Sequence, residues 1–357
     1  MSFNQPSQSR FRSYMRFIVA VLWFFLARAV AHHEALGLAG EQWQPIAEQA
    51  FLIFLLLVGY AGMGLVFDGQ LHPLSEQGYP RREGWPAEAG LGLAVGWTLA
   101  VVCVLPMVIG GGIAIVLVLG HSAWGWLAVD AVFFALVALA EEVAFRGYGF
   151  QRFEQSVGQL GAALGFAAFY AIVQNPLPWA ALSFTNLYYT MRALLWWLSS
   201  PSVAVSVVLS LVLSTAYLRT RALWLSWGIN FGWKASRALV FGLAISGDNS
   251  HSHVVQGNPM GPFWLTGGGY GLDGSWIAFV VLLAALPVVY RLTRDLDYRW
   301  NAPVIVPAGI PVDLSAAAKG QHEAAMGAAD EPATAGLVQI LPVVAPPQAT
   351  SEPPKVE

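Results

Sequence analysis

Two acidic residues, Glu141 and Glu142, follow a long apolar run of the chain and precede Arg146. Burying an unpaired carboxylate in hydrocarbon costs several kcal/mol, so a pair at this position predicts a site. A carboxylate in a low-dielectric cavity can act as a general base. On a helix Glu142 and Arg146 share one face and can pair, whereas Glu141 points about 100° away. The simpler interpretation is a charged helix end at the lipid headgroups.

A second polar group lies in a later apolar segment. Asn230, Lys234 and Arg237 are spaced by four and three residues, so a helix presents them as one stripe. Charges within membrane helices tend to face the bundle interior and pair, which predicts contact between this stripe and the two glutamates. A buried ion-pair network that only fixes helix packing is the alternative.

Two other charged residues fall inside apolar segments. Asp130 lies three helical turns before Glu141, and we expect it to pair elsewhere or to face water. Arg28 is expected to extend toward the outer membrane surface.

The composition indicates a polytopic membrane protein. Of 357 residues, 56% are hydrophobic and 11% charged, and the mean hydropathy is +0.56, whereas about a quarter of a soluble domain is charged. A net charge of −3 without a basic run argues against nucleic acid as a partner. The single cysteine, Cys103, excludes an internal disulfide and a cysteine-based metal site.

The apolar segments predict an all-α polytopic membrane fold with about eight transmembrane helices of about 20 residues each. The third segment contains Pro106 and Gly110-Gly111-Gly112, which can break or kink it. The aromatic stretch 176–200 is predicted to be re-entrant or interfacial. The predicted spans lie near residues 15–35, 49–67, 89–119, 122–145, 157–175, 201–219, 222–246 and 275–293.

Arginine placement predicts the orientation. With the N-terminus inside, the basic loops all fall on one face, and Arg192 is the only arginine or lysine left outside. Residues 1–14 are then a cytoplasmic N-terminus, 15–119 the N-terminal transmembrane helices, and 296–357 a disordered cytoplasmic tail rich in Ala, Pro and Val. We interpret the first apolar run as an uncleaved helix and the membrane as a bacterial inner membrane.

Residues 140–148, Ala-Glu-Glu-Val-Ala-Phe-Arg-Gly-Tyr, resemble the first motif of the CAAX-protease and bacteriocin-processing family of intramembrane endopeptidases. Residues 218–224 are similar to the lead-in to its third motif. Residues 228–234 occupy the place of that motif's Gly-x-His-x-x-x-Asn, and the loop at 241–274 resembles one common in bacterial members. The resemblance covers roughly residues 120–295 and implies a CAAX-protease-like transmembrane domain there.

The resemblance also implies a chemistry. In the family the first glutamate is thought to activate a water that attacks a peptide bond, assisted by two histidines and an asparagine. By this resemblance Glu141 is the general base, Glu142 and Arg146 hold it in place, and Asn230 orients water or the oxyanion, which needs preorganised donors.

Both motif histidines are missing from this chain. The second-motif position holds Tyr170 or Val173, depending on the register, and the third motif holds Asn230 and Lys234. Zinc needs three or four N, O or S ligands, so the sequence argues against a zinc enzyme, and we expect no metal and no cofactor.

Lys234 changes the expected chemistry of Glu141. A neighbouring ammonium favours the ionised carboxylate and predicts a locked ion pair where the family has a water site. In the alternative, Asn230, Tyr170 or Gln174 binds water or substrate together with Lys234 and Arg237. A desolvated Lys234 can also lose its proton and act as the base. The outer histidines at 32, 33, 121, 251 and 253 are expected to be solvated, with an outer metal site as the alternative.

Two functions follow from the sequence. The first is an intramembrane peptidase that hydrolyses peptide bonds of membrane-associated substrates with Glu141 as general base. The second is a catalytically silent member, a pseudoenzyme, that binds a membrane peptide, a lipid or a partner protein. The expected partners are the lipid bilayer and a membrane-associated peptide or protein. A transporter is a third class, but no paired broken-helix pattern supports it.

Overall fold

The computed structural model describes residues 7–80, 82–118, 120, 123–177, 186–251 and 254–296. These residues are mostly helical. The predicted tail lies outside the described residues from 297 onward. The helices are α1 Ser7–Leu38, α2 Gln44–Asp68, α3 Pro73–Glu76, α4 Trp85–Ile109, α5 Ala123–Arg146, α6 Tyr148–Gln174, α7 Leu187–Leu198, α8 Pro201–Thr220, α9 Leu223–Ala235, α10 Phe263–Thr266 and α11 Trp276–Leu292. A π-helical turn, Ser236–Val240, follows α9, and the strands are β1 Ile113–Leu117 and β2 Val255–Pro259.

Several helices have the length and apolarity that a membrane requires, so the chain is an integral membrane protein with a helical polytopic fold. Within the described ranges five stretches qualify: Ser9–Leu38, Gln44–Asp68, Trp85–Ile109, Ala123–Gln174 and Pro201–Thr220. Helix α11 is apolar but shorter, with 17 residues. The predicted number of about eight spans stays a prediction.

The third predicted span ends earlier than its apolar residues suggest. Helix α4 stops at Ile109, Gly111 adopts a left-handed φ of 74°, and β1 follows. Strand β1 pairs antiparallel with β2, with Ile113 opposite Pro259. The prediction of a single helix over 89–119 is therefore wrong at its end, because residues 113–117 form a strand. A short apolar run does not distinguish helix from strand by itself, and the partner strand is remote in sequence.

Glycines bend the chain between α5 and α6. Gly147 separates the two helices, and a Cβ there would collide with the carbonyl oxygen of Val143. Gly158 adopts φ 84° and ψ 171° inside α6, a conformation open to glycine but strained for other residues. The fifth predicted helix, near 157–175, thus corresponds to the part of α6 after this break, and the part from Tyr148 onward was not predicted.

Helices α4 and α9 pack backbone against backbone. Gly92 and Gly96 of α4 face Gly228 and Gly232 of α9, each pair spaced by four residues. A Cβ at Gly92 would collide with the carbonyl oxygen of Leu225. Small residues at this spacing let membrane helices approach closely. The seventh predicted span, 222–246, forms α9 and the π turn and ends at Val240.

Helix α7 occupies part of the aromatic stretch that the sequence sets apart from the spans. It has 12 residues, none of them buried, and too little length to cross a bilayer. The indole Nε1 of Trp197 donates to the carbonyl oxygen of Asn175 at 2.9 Å, which ties α7 to the end of α6. Its placement at the membrane interface stays a prediction.

Candidate functional site

The carboxylate of Glu141 accepts hydrogen bonds from four side chains on two helices. Lys234 Nζ lies 2.6 Å from Oε1, and Gln174 Nε2 lies 2.7 Å from the same atom. Asn230 Nδ2 lies 2.8 Å from Oε2, and the Tyr170 hydroxyl lies 3.1 Å from it. An ionised carboxylate has about four lone-pair positions, so these donors fill it. The Glu141 side chain is 13% exposed.

Glu142 faces a separate and fully buried set of partners. Arg146 Nη1 lies 3.4 Å from Glu142 Oε1, as the spacing of four residues predicts. Asn230 Nδ2 also reaches this oxygen, at 3.2 Å, and so bridges the two carboxylates. Arg146 Nη2 donates to Ser210 Oγ at 2.9 Å and to the Ser210 carbonyl oxygen at 3.1 Å. Glu142 and Arg146 thereby fix the end of α5 against α8.

The four donors to Glu141 come in two pairs, and the members of each pair are four residues apart on one helix, so that they lie on the same face. Tyr170 and Gln174 lie one turn apart on α6, and Asn230 and Lys234 lie one turn apart on α9. The glycines at 228 and 232 press α9 against α4, on either side of Asn230 in the sequence. The contact that the sequence predicts between the acidic and basic groups is confirmed.

Of the two candidate residues of the second motif, Tyr170 contacts Glu141 and is 2% exposed. This contact favours the register that starts from Phe166, which stays a prediction. Of the residues predicted from the sequence, six meet at or beside Glu141: Glu142, Arg146, Tyr170, Gln174, Asn230 and Lys234.

Arg237 forms its ion pair elsewhere. Its Nη1 lies 2.6 Å from Asp273 Oδ1, and its guanidinium lies 4.5 Å from the centre of the Trp233 ring. Asp273 Oδ2 accepts from the backbone nitrogen of Ser246 at 3.0 Å. Arg237 therefore anchors the loop after α9. Sequence reasoning missed Asp273, because a single acid in a glycine-rich loop gives no signal of its partner.

The loop histidine His251 is packed, which corrects the expectation that it is solvated. Its Nδ1 lies 2.9 Å from Asp130 Oδ1, its ring stacks on Phe133 at 4.5 Å, and its side chain is 15% exposed. Asp130 thus pairs away from Glu141, as expected. The pair borders a cleft of about 300 Å³ that Trp126 also lines.

Among the described outer histidines, His32 lies at an exposed position. Its Nδ1 lies 2.9 Å from Glu48, and residues 121 and 253 lie outside the described residues. In the part of the chain that the structure describes, no group of three or more His, Cys, Asp or Glu side chains is arranged to hold a metal ion.

Comparison with known proteins gives one match. Residues 123–236 match the family described as Rce1-like, type II CAAX prenyl endopeptidase Rce1-like. No curated protein and no solved structure matches the chain. The matched segment contains Glu141 and all four of its donors. The resemblance seen in the motifs is therefore confirmed for residues 123–236, a segment of this membrane protein that is similar to the Rce1-like family.

Proposed function

We propose that this protein binds a membrane-associated peptide or protein at the Glu141 centre without hydrolysing it. One observation carries the proposal: four donors, one of them the Lys234 ammonium, fill the carboxylate of Glu141. The family match supports a CAAX-protease-type bundle around this centre.

A general base needs a free acceptor position within hydrogen-bond reach of the attacking water. At Glu141 such a position opens only when a donor leaves. Breaking a buried ion pair costs about 3–5 kcal/mol, and adding that to a barrier slows a reaction roughly a hundredfold to a few thousandfold. The Lys234 ammonium also occupies Oε1, so a water that replaces it would have to displace a charged donor. Both effects oppose hydrolysis.

Binding a peptide at this centre does not require a free position for water on Glu141. A peptide within the membrane must satisfy its backbone N–H and C=O groups. Gln174 is half-buried and donates a neutral hydrogen bond to Glu141, so a peptide N–H can replace it at lower cost than it can replace Lys234. The partial exposure of Glu141 and Lys234, 13% and 9%, favours this exchange.

The second candidate is the intramembrane peptidase with Glu141 as general base. The observation in its favour is that two neutral donors, Asn230 and Tyr170, converge on Oε2. If Lys234 releases Oε1, these donors can hold a water or an oxyanion. Glu142 and Arg146 then keep the site in place, and Lys234 itself can act as the base once it has lost its proton.

For the membrane we propose a bacterial inner membrane with both termini in the cytoplasm. Arginines from different predicted inner loops form contacts that support placing these loops on one face of the membrane. Arg16 and Arg152 both pair with Asp68, and Arg82 donates to the carbonyl oxygen of Thr220 at 2.8 Å. Arginines gathered at one end are typical of a cytoplasmic face.

Reconstituted protein with a set of photo-crosslinkable membrane peptides tests the proposal. Mass spectrometry reads cleavage, and crosslinking reads binding. We expect wild type to crosslink without cleavage, and Glu141→Gln to crosslink less, because it loses the charged partner of Lys234. The control Glu34→Gln removes an exposed carboxylate and should behave as wild type. Cleavage by wild type that Glu141→Gln abolishes would instead establish the peptidase.

A further inference from the structure

Several buried polar atoms near Glu142 lack a hydrogen-bond partner among the described residues. Four of them are Glu142 Oε2, Arg146 Nε, Ser214 Oγ and Tyr79 Oη. Glu142, Arg146 and Ser214 are each 0% exposed. Buried polar groups are nearly always paired with protein or ordered water, so four such atoms call for an explanation.

Contacts and helical spacing link the four residues that carry these atoms. Glu142 pairs with Arg146, and Arg146 donates to Ser210. Ser214 lies one helical turn beyond Ser210 on the same face of α8. The Tyr79 hydroxyl lies 3.3 Å from the position of a Cβ on Gly147, the residue after Arg146.

The electrostatics of Tyr79 agree with this placement. Burial raises the pKa of the Tyr79 phenol well above its usual value, and the charge of Glu142 raises that pKa further. Tyr79 lies in the connection between α3 and α4, outside the helices that span the membrane. The phenol is therefore neutral at ordinary pH, and it lies close enough to Glu142 to interact with the charge of that carboxylate.

The chemistry of the four atoms suits water. Glu142 Oε2 only accepts hydrogen bonds, Arg146 Nε only donates, and the two hydroxyls do both. A buried water typically makes about three hydrogen bonds to groups that are otherwise unsatisfied. A donor, an acceptor and two hydroxyls together provide that number.

We propose that Glu142, Arg146, Ser214 and Tyr79 bind a cluster of ordered water molecules between α5, α8 and the α3–α4 connection. This site is distinct from the Glu141 centre and does not depend on whether the protein binds or cleaves a peptide. Asn230 joins the two, since its Nδ2 contacts both carboxylates.

Polar side chains lead from this site to the end of the bundle that carries α3. The ring of Tyr217 lies 3.2 Å from the position of a Cβ on Gly78, next to Tyr79. The Tyr217 hydroxyl accepts from Gln151 Nε2 at 2.9 Å, and Gln151 also donates to the carbonyl oxygen of Glu76 at an exposed position. These contacts place the proposed site near the end of the bundle where Gln151 is partly exposed.

The sign of a thermal shift tests the proposal in the full chain. Tyr79→Phe and Ser214→Ala each remove a hydroxyl and leave the rest of the surroundings unchanged. If the hydroxyl binds water, its loss leaves that water underbonded, and we expect a lower Tm. If the place is dry, removing an unpaired hydroxyl relieves a desolvation penalty, and Tm stays or rises. An unchanged or higher Tm in both variants overturns the proposal.

Tyr217→Phe is the matched control, because it removes a hydroxyl that has a protein partner and should lower Tm in either case. An experimental structure of the wild-type protein at a resolution that shows ordered water gives an independent measurement. Water density within hydrogen-bond distance of Glu142 Oε2 and the Tyr79 hydroxyl supports the site. Continuous absence of density there, with waters visible elsewhere in the bundle, overturns it.

Discussion

Lys234 Nζ lies 2.6 Å from Glu141 Oε1, and this ion pair joins α9 to α5, near the two ends of the matched segment. Both side chains are largely enclosed, so neither charge has enough water to replace its partner. The pair therefore affects both the stability of the protein and the chemistry of the centre. Separate experiments test these two effects.

Lys234→Met should destabilise the protein by about 3–5 kcal/mol, because it leaves the Glu141 carboxylate buried without its cation. The double variant Lys234→Met with Glu141→Gln should recover part of this loss, since neither position 141 nor position 234 then carries a charge. Unfolding free energies in detergent, combined in a double-mutant cycle, measure the coupling. Strict additivity of the two single changes would contradict a direct ion pair.

Restoring the family's residues should bring back a water site. We expect the triple variant Tyr170→His, Asn230→His and Lys234→Asn to remove the ion pair and to add imidazoles beside Glu141. Cleavage of reconstituted membrane peptides, read by mass spectrometry, is the measurement. The same variant with Glu141→Gln is the control and should be inactive. A well-folded triple variant without cleavage would show that more than this centre has changed.

Gly228→Ala should separate α9 from α4, because a Cβ there collides with the carbonyl oxygen of Ala89. Overpacking of this kind destabilises by about 1–3 kcal/mol. Gly90→Ala on α4 is the matched control: a Cβ at that position meets nothing within 4 Å. It should be neutral or stabilise by up to about 1 kcal/mol, since alanine favours helix over glycine. Equal effects of the two substitutions on unfolding would contradict the close glycine packing.

Asp273→Ala should loosen the loop that follows α9. It leaves Arg237, which is 1% exposed, without its carboxylate, and it removes an acceptor for the backbone of Ser246. We expect faster hydrogen exchange and faster proteolysis over residues 241–251 and 254–274. The control Asp248→Ala changes a side chain that is 60% exposed and should have a smaller effect. Unchanged exchange in Asp273→Ala would argue against an anchor.

Charge and periodicity were sufficient to predict the centre but not its surroundings. Glu141, Asn230 and Lys234 stand out because polar groups are rare in apolar helices, and their helical spacing gives their faces. Ser210 gave no signal, since a serine in an apolar helix is common and its partner Arg146 lies on another helix. The sequence therefore predicted the residues that contact Glu141 but missed Ser210, the neutral group that holds Arg146.

The loops were less predictable, because their contacts depend on the finished bundle. His251 is expected in water from its sequence, yet it packs on Phe133 and pairs with Asp130 of α5. Strand β1 reads as the end of an apolar helix, and only its remote partner β2 determines its conformation. In both cases the partners are separated by more than a hundred residues of sequence, so no local pattern predicts the contact.

The glycine contact between α4 and α9 limits how the centre can open. With only hydrogen atoms between the two backbones, α9 has no apolar side chains on which to slide, and tilting it away would expose peptide groups to lipid. Movement of Lys234 must then come from rotation about its own carbon–carbon bonds or from rewinding of the π turn that begins two residues later. A ligand that displaces Lys234 therefore needs a movement of this side chain or of the π turn, whereas one that displaces Gln174 needs no change in α9.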